Sequence, residues 1–190
     1  MAAKDTFCSF CGTRFLETHR YPRTCPGCNI QIWANPIPVV VVLVPILVDA
    51  PGLGGAARTG LLVVRRAIPP GIGMLALVGG FLEEHETWQQ GGARELHEEA
   101  SVVVDPARLE PFWWASSAPK PNRVLLFTTA PAITRAELPA WESDSEASER
   151  GIVFGPGGLD TAFCFSTHVE AAQRWFAARD VTGPHAFEPA

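Results

Sequence analysis

Three glutamates in the run Arg94-Glu95-Leu96-His97-Glu98-Glu99 stand at i, i+3 and i+4. On a helix turning about 100° per residue, Glu95, Glu98 and Glu99 share one face. Like charges this close repel, so the cluster weakens the helix unless something positive joins it. A hard divalent cation reverses that sign. Mg²⁺ favours carboxylate oxygens and then recruits phosphate oxygens, which points to metal-assisted chemistry on a phosphate compound. The competing reading is a solvated charged face, the ordinary fate of a short acidic run.

The surrounding spacing separates the two readings. Gly80 is followed by five residues and then Glu86; seven more lead to Arg94-Glu95, an apolar Leu96, one residue, Glu98-Glu99 and finally Val102. This resembles the Nudix box, G-x5-E-x7-R-E-U-x-E-E-x-G-U with U apolar. Every specified position agrees except the last glycine, where Ser101 stands, and Val78-Gly79-Gly80 replaces a frequent Pro-Gly-Gly. The resemblance implies an α+β fold, the Nudix α/β/α sandwich with a mixed sheet. The box would form a loop–helix–loop within roughly residues 38 to 180.

The same resemblance implies a catalytic Mg²⁺ (or Mn²⁺). Glu98 and Glu99 would be its main ligands. Glu95 would be a further ligand or would orient the attacking water, and the Gly80 carbonyl is placed like a family ligand. Hydrolysis of a diphosphate also needs a base. In the family it often lies outside the box, and Glu146 and Glu149 are the candidates. Arg94, eight residues after Glu86, is expected to clamp it in a bidentate pair; an ordinary surface pair would contribute less than about 1 kcal/mol. Arg65 and Arg66 at a strand end are candidates to hold substrate phosphates, one of them necessarily facing away. His85 and His97 are set aside as ligands, because hard Mg²⁺ prefers oxygen.

The elements that must position these groups are legible in outline. Thr87-x-x-Gln90 fits a capping box, and Glu86 lies near the positive end of the helix that follows. Gly91-Gly92 inside that helix costs about 1 kcal/mol per residue against alanine, which suggests close packing against a neighbouring loop; Leu96, Ala93 and Ala100 would face the sheet. Val39–Val48 reads as one buried strand, residues 49–59 as a loop, Gly60–Arg66 as the returning strand and Leu75–Val78 as a short strand. Further strands are expected at Val102–Val104, Phe112–Ala115, Val124–Thr129 and Gly151–Phe154. Trp141–Arg150 reads as an acidic loop. Ser166–Arg179 reads as a helix with Ser166 as N-cap.

Cys8-x2-Cys11 and Cys25-x2-Cys28 form a second constellation. Paired CxxC knuckles near this spacing read as a four-thiolate zinc site, a tetrahedron of soft ligands. A pair of disulfides is the alternative, disfavoured in a reducing compartment. Strand-like segments follow each knuckle, Thr13–Leu16 and Ile30–Trp33. A unit this short has no core of its own, so metal binding would supply on the order of 10 kcal/mol of its folding free energy. The expected organisation is a zinc ribbon over 1–35 and a Nudix domain over 36–190. The fifth cysteine, Cys164, reads as a buried hydrophobe.

A four-cysteine ribbon ahead of a Nudix domain resembles the NADH pyrophosphatase branch, which splits NAD(H), acts on NAD-capped RNA and dimerises. Tyr21-Pro22-Arg23 adds to the likeness. The branch motif SQPWPFPxS has only a partial counterpart in Ser116-Ser117-Ala118-Pro119-Lys120-Pro121-Asn122-Arg123, which lacks its Trp and Phe.

Composition narrows the classes further. The chain has 190 residues, 47% of them apolar, enough for one ordinary domain and a small one. A net charge of −5 argues against sequence-independent nucleic-acid binding, leaving capped RNA as the one nucleic-acid partner the resemblance allows. The longest apolar run, Pro38–Val48, is too short to span a bilayer, and a cytoplasmic protein without a membrane partner is expected. The function expected is hydrolysis of a nucleoside diphosphate linked to another group, of NADH, NAD or ADP-ribose type, by a homodimer. The alternative is a catalytically weak Nudix fold whose ribbon contacts protein or nucleic acid. Trp113, Trp114 and Phe127 are expected to pack the core rather than stack a base.

Overall fold

In the computed structural model, residues 6–16, 20–49, 58–117 and 122–190 are described. Most of the loop expected over 49–59, and Ala118–Pro121 of the partial branch motif, lie outside them. The chain divides into two compact units, Met1–Pro36 and Ile37–Ala190.

The first unit is built on two matching turns. The Gly12 N–H bonds to the Cys8 carbonyl, and the Asn29 N–H to the Cys25 carbonyl, both at 2.9 Å. Gly12 and Asn29, each following the second cysteine of a knuckle, both take positive φ, at 76° and 60°. Glycine and asparagine are the residues that tolerate this conformation. Strands β1 (Arg23–Thr24) and β2 (Gln31–Ile32) pair antiparallel. The strand expected at Thr13–Leu16 is reduced to one bridge, Phe7 to Arg14. Cys8, Phe15 and Cys25 are the buried centre.

The second unit is two sheets with helices. The apolar run read as one strand is two, β3 (Ile37–Leu43) and β4 (Pro45–Val48), in different sheets. Pro45 brings no N–H to a ladder, and the Val44 carbonyl turns to accept from Leu62 N–H at 3.0 Å. Next come β5 (Arg58–Arg66), β6 (Leu75–Ala76) and β7 (Val78–Phe81). Helix α1 (Trp88–Ala100) carries the glutamates. Then follow β8 (Glu110–Ser116), β9 (Arg123–Thr129) and β10 (Ile133–Thr134). The chain finishes with β11 (Ala147–Phe154), α2 (Leu159–Ala162), α3 (Ser166–Ala177) and β12 (Ala186–Pro189). One sheet runs β7-β3-β9-β8, with β3 and β9 parallel; the other runs β10-β4-β5-β11-β12, with β6 also on β5. This is the mixed-sheet α+β arrangement expected.

Alternation along β3 divides the core. Val39, Val41 and Leu43 join Trp175 and Phe176 of α3, whereas Val42 joins Leu96 and Ala100 of α1. The period-2 pleat thus puts one helix on each face. Three sequence expectations fail for identifiable reasons. Val102–Val104 forms no strand, because the Val102 N–H is spent on the Leu96 carbonyl at the helix end. The acidic loop ends early, since β11 already starts at Ala147. Ser166 opens α3 rather than capping it; Phe165 holds the cap position, without a side-chain cap bond.

Candidate functional site

Helix α1 begins as its sequence suggests. The Thr87 hydroxyl accepts from Gln90 N–H, and the Gln90 side chain accepts from Thr87 N–H at 2.8 Å. Gly91 and Gly92 are buried where side chains have no room. A Cβ on Gly91 would collide with Leu82 and Glu86 of the preceding loop; one on Gly92 would meet Leu109 at 2.9 Å and Val42 of β3 at 3.2 Å. The close approach involves the strand as well as the loop. It sets the glutamate face of α1 beside β7.

Arg94 organises that face. Its Nε and Nη2 donate to the two oxygens of Glu86, at 3.1 and 2.8 Å, the bidentate pair expected. Its Nη1 donates to Glu95 Oε1 at 2.8 Å and Glu98 Oε2 at 2.9 Å, and Nη2 also reaches the Phe81 carbonyl at 3.0 Å. One guanidinium therefore serves three carboxylates. It holds the Glu86 carboxyl below the ordinary carboxylate range. Glu95 goes the other way, because burial outweighs the Arg94 contact. Glu99 is raised further, to about 8. Burial is the main cause; the Gly79 N–H bond at 3.0 Å opposes it, and the charges of Glu95 and Glu146 add to it.

Glu95, Glu98, Glu99, Glu146 and Gly80 all line one cleft of about 640 Å³. A Cβ on Gly80 would overlap the Glu95 carboxylate, so only glycine leaves the backbone this near the acidic cluster. A buried and a half-buried carboxylate, both disfavoured as anions, beside an exposed third, form an oxygen donor set suited to a hard divalent cation. Arg66 also lines the cleft, whereas Arg65 turns away and pairs with Glu149 at 2.7 Å. Glu149 is on β11 and is absent from the lining; Glu146 precedes the strand, its N–H held by Asp144 Oδ1 at 2.7 Å. His85 sits near Glu83 at the surface, and neither it nor His97 lines the cleft.

Four further residues of the lining, Phe81, Arg123, Phe165 and His168, are not marked as site residues by the sequence. The Arg66 guanidinium lies 5.1 Å above the Phe165 ring and that of Arg123 5.4 Å above Phe81, so both cations are paired with aromatic faces. Phe127 and Trp113 stack in the core at 5.1 Å, but Trp114 is mostly exposed, contrary to the core role expected. Cys164 is half-buried rather than buried, with its thiol 3.4 Å from the Pro70 carbonyl.

The far end of α1 is also fixed. Arg150, buried, donates to the Ala100 carbonyl at 2.8 Å and to Pro139 at 2.8 Å, and Trp141 Nε1 donates to the Glu99 carbonyl at 2.8 Å. A cation and an indole thus satisfy carbonyls at the negative helix end. Ser101 takes the left-handed conformation, φ 58° and ψ 14°, that a glycine would adopt more cheaply.

A model of the NUDIX domain matches residues 44–189. The chain belongs to that family. It is a Nudix-type hydrolase, and α1 lies within the matched residues. Solved structures with the same fold include a NUDIX hydrolase from Nitrosomonas europaea. It is 24% identical, with a TM-score of 0.60 over 94% of both chains. A MutT/nudix family protein from Enterococcus faecalis is 20% identical, with a TM-score of 0.58 over 78% of this chain and 65% of that one. A C. elegans Ap4A hydrolase is 12% identical, with a TM-score of 0.56 over 76% of this chain and 98% of that one. At these identities the likeness is one of fold. Among the described residues no helix is long and apolar enough to cross a membrane.

The first unit holds a second candidate metal centre. The Sγ atoms of Cys8, Cys11, Cys25 and Cys28 all lie within 4.8 Å of one another. Cys8 and Cys28 are 3.8 Å apart, and Cys11 and Cys25 3.6 Å. Four thiolates bound at about 2.3 Å in a tetrahedron have closely similar separations. Both of these pairs cross between the knuckles, at distances far above the roughly 2.05 Å of a disulfide.

Proposed function

We propose that this Nudix hydrolase cleaves the diphosphate of a nucleoside diphosphate linked to a second group, of NADH, NAD or ADP-ribose type, with Mg²⁺ or Mn²⁺. The observation that carries the reading is the meeting, in one cleft, of Glu95, Glu98, Glu99, Glu146 and the Gly80 backbone with Arg66 and Arg123. Carboxylates alone would repel a diphosphate. A cation between them and the substrate reverses this, and the arginines supply the remaining counter-charge.

Glu95, Glu98, Glu99 and the Gly80 carbonyl would hold the metal. When bound, it would neutralise diphosphate oxygens and so lower the electrostatic barrier to attack by water. Arg94 and Glu86 are positioning residues: their bidentate pair fixes the loop onto α1 and keeps Glu95 and Glu98 in place. Glu146 is the proposed base, taking a proton from the attacking water. Arg66, rather than Arg65, is the proposed phosphate contact, since Arg66 lines the cleft whereas Arg65 lies outside it, paired with Glu149.

The four-cysteine unit, over residues 1–35, is proposed to bind one structural Zn²⁺ and to fold with it, ahead of a catalytic domain over 36–190. Its sulfur separations support this reading.

The test is a panel of NADH, NAD, ADP-ribose and dinucleoside polyphosphates, each with and without Mg²⁺. Cleavage of at least one of them into two phosphorylated products, only with metal, is expected. Absence of turnover across the panel would overturn the proposal.

A further inference from the structure

His168 stands at the start of α3, is buried, and lines the same cleft as the box. Its Nδ1 accepts from the Leu77 N–H at 3.1 Å. Leu77 lies between β6 and β7, where the strand was expected to run on, so the imidazole takes the place of a ladder partner. A nitrogen that accepts carries no proton, so in the neutral ring the proton is on Nε2. The ring is neutral: burial, helped by the nearby Arg66 charge, pushes its pKa down to about 3. Phe165 and Phe127 fix its plane, at 4.9 and 5.8 Å between centroids. Among the described residues nothing accepts from Nε2.

We propose that His168 is a specificity-determining residue whose Nε2–H donates a hydrogen bond to a neutral acceptor, a carbonyl oxygen or ring nitrogen, on the non-phosphate part of the substrate. This rests on the diphosphate reading above and names what recognises the group beyond the phosphates. Three observations select that chemistry. With Nδ1 occupied, the ring can be neither a base nor a metal ligand without losing Leu77. The donor is uncharged and set among aromatic rings, where an anionic oxygen would lose its hydration for a neutral contact. Arg66 and Arg123 line the same cleft and carry the positive charge that a phosphate would meet there. A buried donor left unpaired by the wrong ligand is a strong discriminator, because its desolvation goes uncompensated.

Two substitutions separate the two ring nitrogens. His168→Asn keeps an acceptor near Nδ1 and loses the distal donor. His168→Gln keeps a distal donor and loses the acceptor for Leu77. For the best substrate of the panel, Asn is expected to raise KM about tenfold, with a smaller effect on kcat. Gln is expected to return KM to within about threefold of the parent. Inhibition by inorganic pyrophosphate is expected to be the same in all three. A purely structural role would make Gln no better than Asn, and weaker pyrophosphate inhibition in Asn would assign the donor to phosphate; either overturns the proposal. Nitrogen-15 spectra of the histidine rings give an independent readout. The Nε2–H tautomer is expected for His168, with a shift when NADH or ADP-ribose is added without metal. An Nδ1–H tautomer, or no shift under saturating nucleotide, also overturns it. If no diphosphate is hydrolysed but the ring signal still moves, the hydrolase reading fails and this one stands.

Discussion

Replacing Glu99 by glutamine is expected to stabilise the magnesium-free protein while removing its response to magnesium. The Glu99 carboxyl is raised from 4.5 to about 8, mainly by burial. Between those values the folded chain holds a proton that the unfolded chain has released, so stability falls as pH rises through that window. Each unit corresponds to about 1.4 kcal/mol, giving an upper bound of about 5 kcal/mol. Glu99 borders an open cleft where water relaxes around it, which reduces the penalty to about 2 kcal/mol. Glutamine cannot ionise, and its carbonyl can still accept from Gly79 N–H. At pH 8.5 in magnesium-free buffer the variant should melt about 4–8 °C above the parent, and at pH 5 within about 1 °C of it. Added Mg²⁺ should raise the parent's melting temperature and leave the variant's unchanged. A variant less stable at pH 8.5, or a difference independent of pH, would refute the assignment of a half-buried, metal-seeking carboxylate.

Two other consequences concern stability and metal content. Ser101→Gly should raise stability by about 0.5–1 kcal/mol, read by denaturant midpoint, because it removes the left-handed strain at the end of α1; no change would mean that the strain is relieved elsewhere. Protein purified without chelator should contain about one zinc per chain by elemental analysis and lose it in Cys11→Ser; a zinc-free parent would remove the four-thiolate proposal.

The proposed metal face was legible because its spacing is local. Gly80, Glu86, Arg94, Glu95, Glu98 and Glu99 sit on one loop and one helix, where chemistry imposes a fixed interval. The same holds for the cysteine knuckles, whose turns repeat at Gly12 and Asn29. The rest of the cleft was only partly legible: Arg66 stands out as a phosphate candidate at the end of a strand, but Arg123 and His168 come from β9 and α3, and nothing near either in sequence marks it. Arg150 shows the same limit. It reads as one charge in an acidic loop, yet it is buried on β11 and bonds to a carbonyl at the end of α1, a contact only the tertiary fold creates. Val39–Val48 shows a different one: continuous β-branched character marks burial but does not reveal that the chain changes sheets at Val44. Of the Arg65–Arg66 pair, strand alternation required one to face away, and the Glu149 partner on β11 decides which.

The central claim, metal-assisted hydrolysis by the α1 glutamates, is tested most directly with Glu98→Gln. Glu98 is the exposed member of the cluster, so its replacement leaves the core untouched. Loss of one metal ligand should cost about 3–4 kcal/mol of transition-state stabilisation, or about 10²–10³ in rate. With the best diphosphate substrate and saturating Mg²⁺, the account predicts that loss with an unchanged melting temperature in magnesium-free buffer. Turnover equal to that of the parent would contradict it.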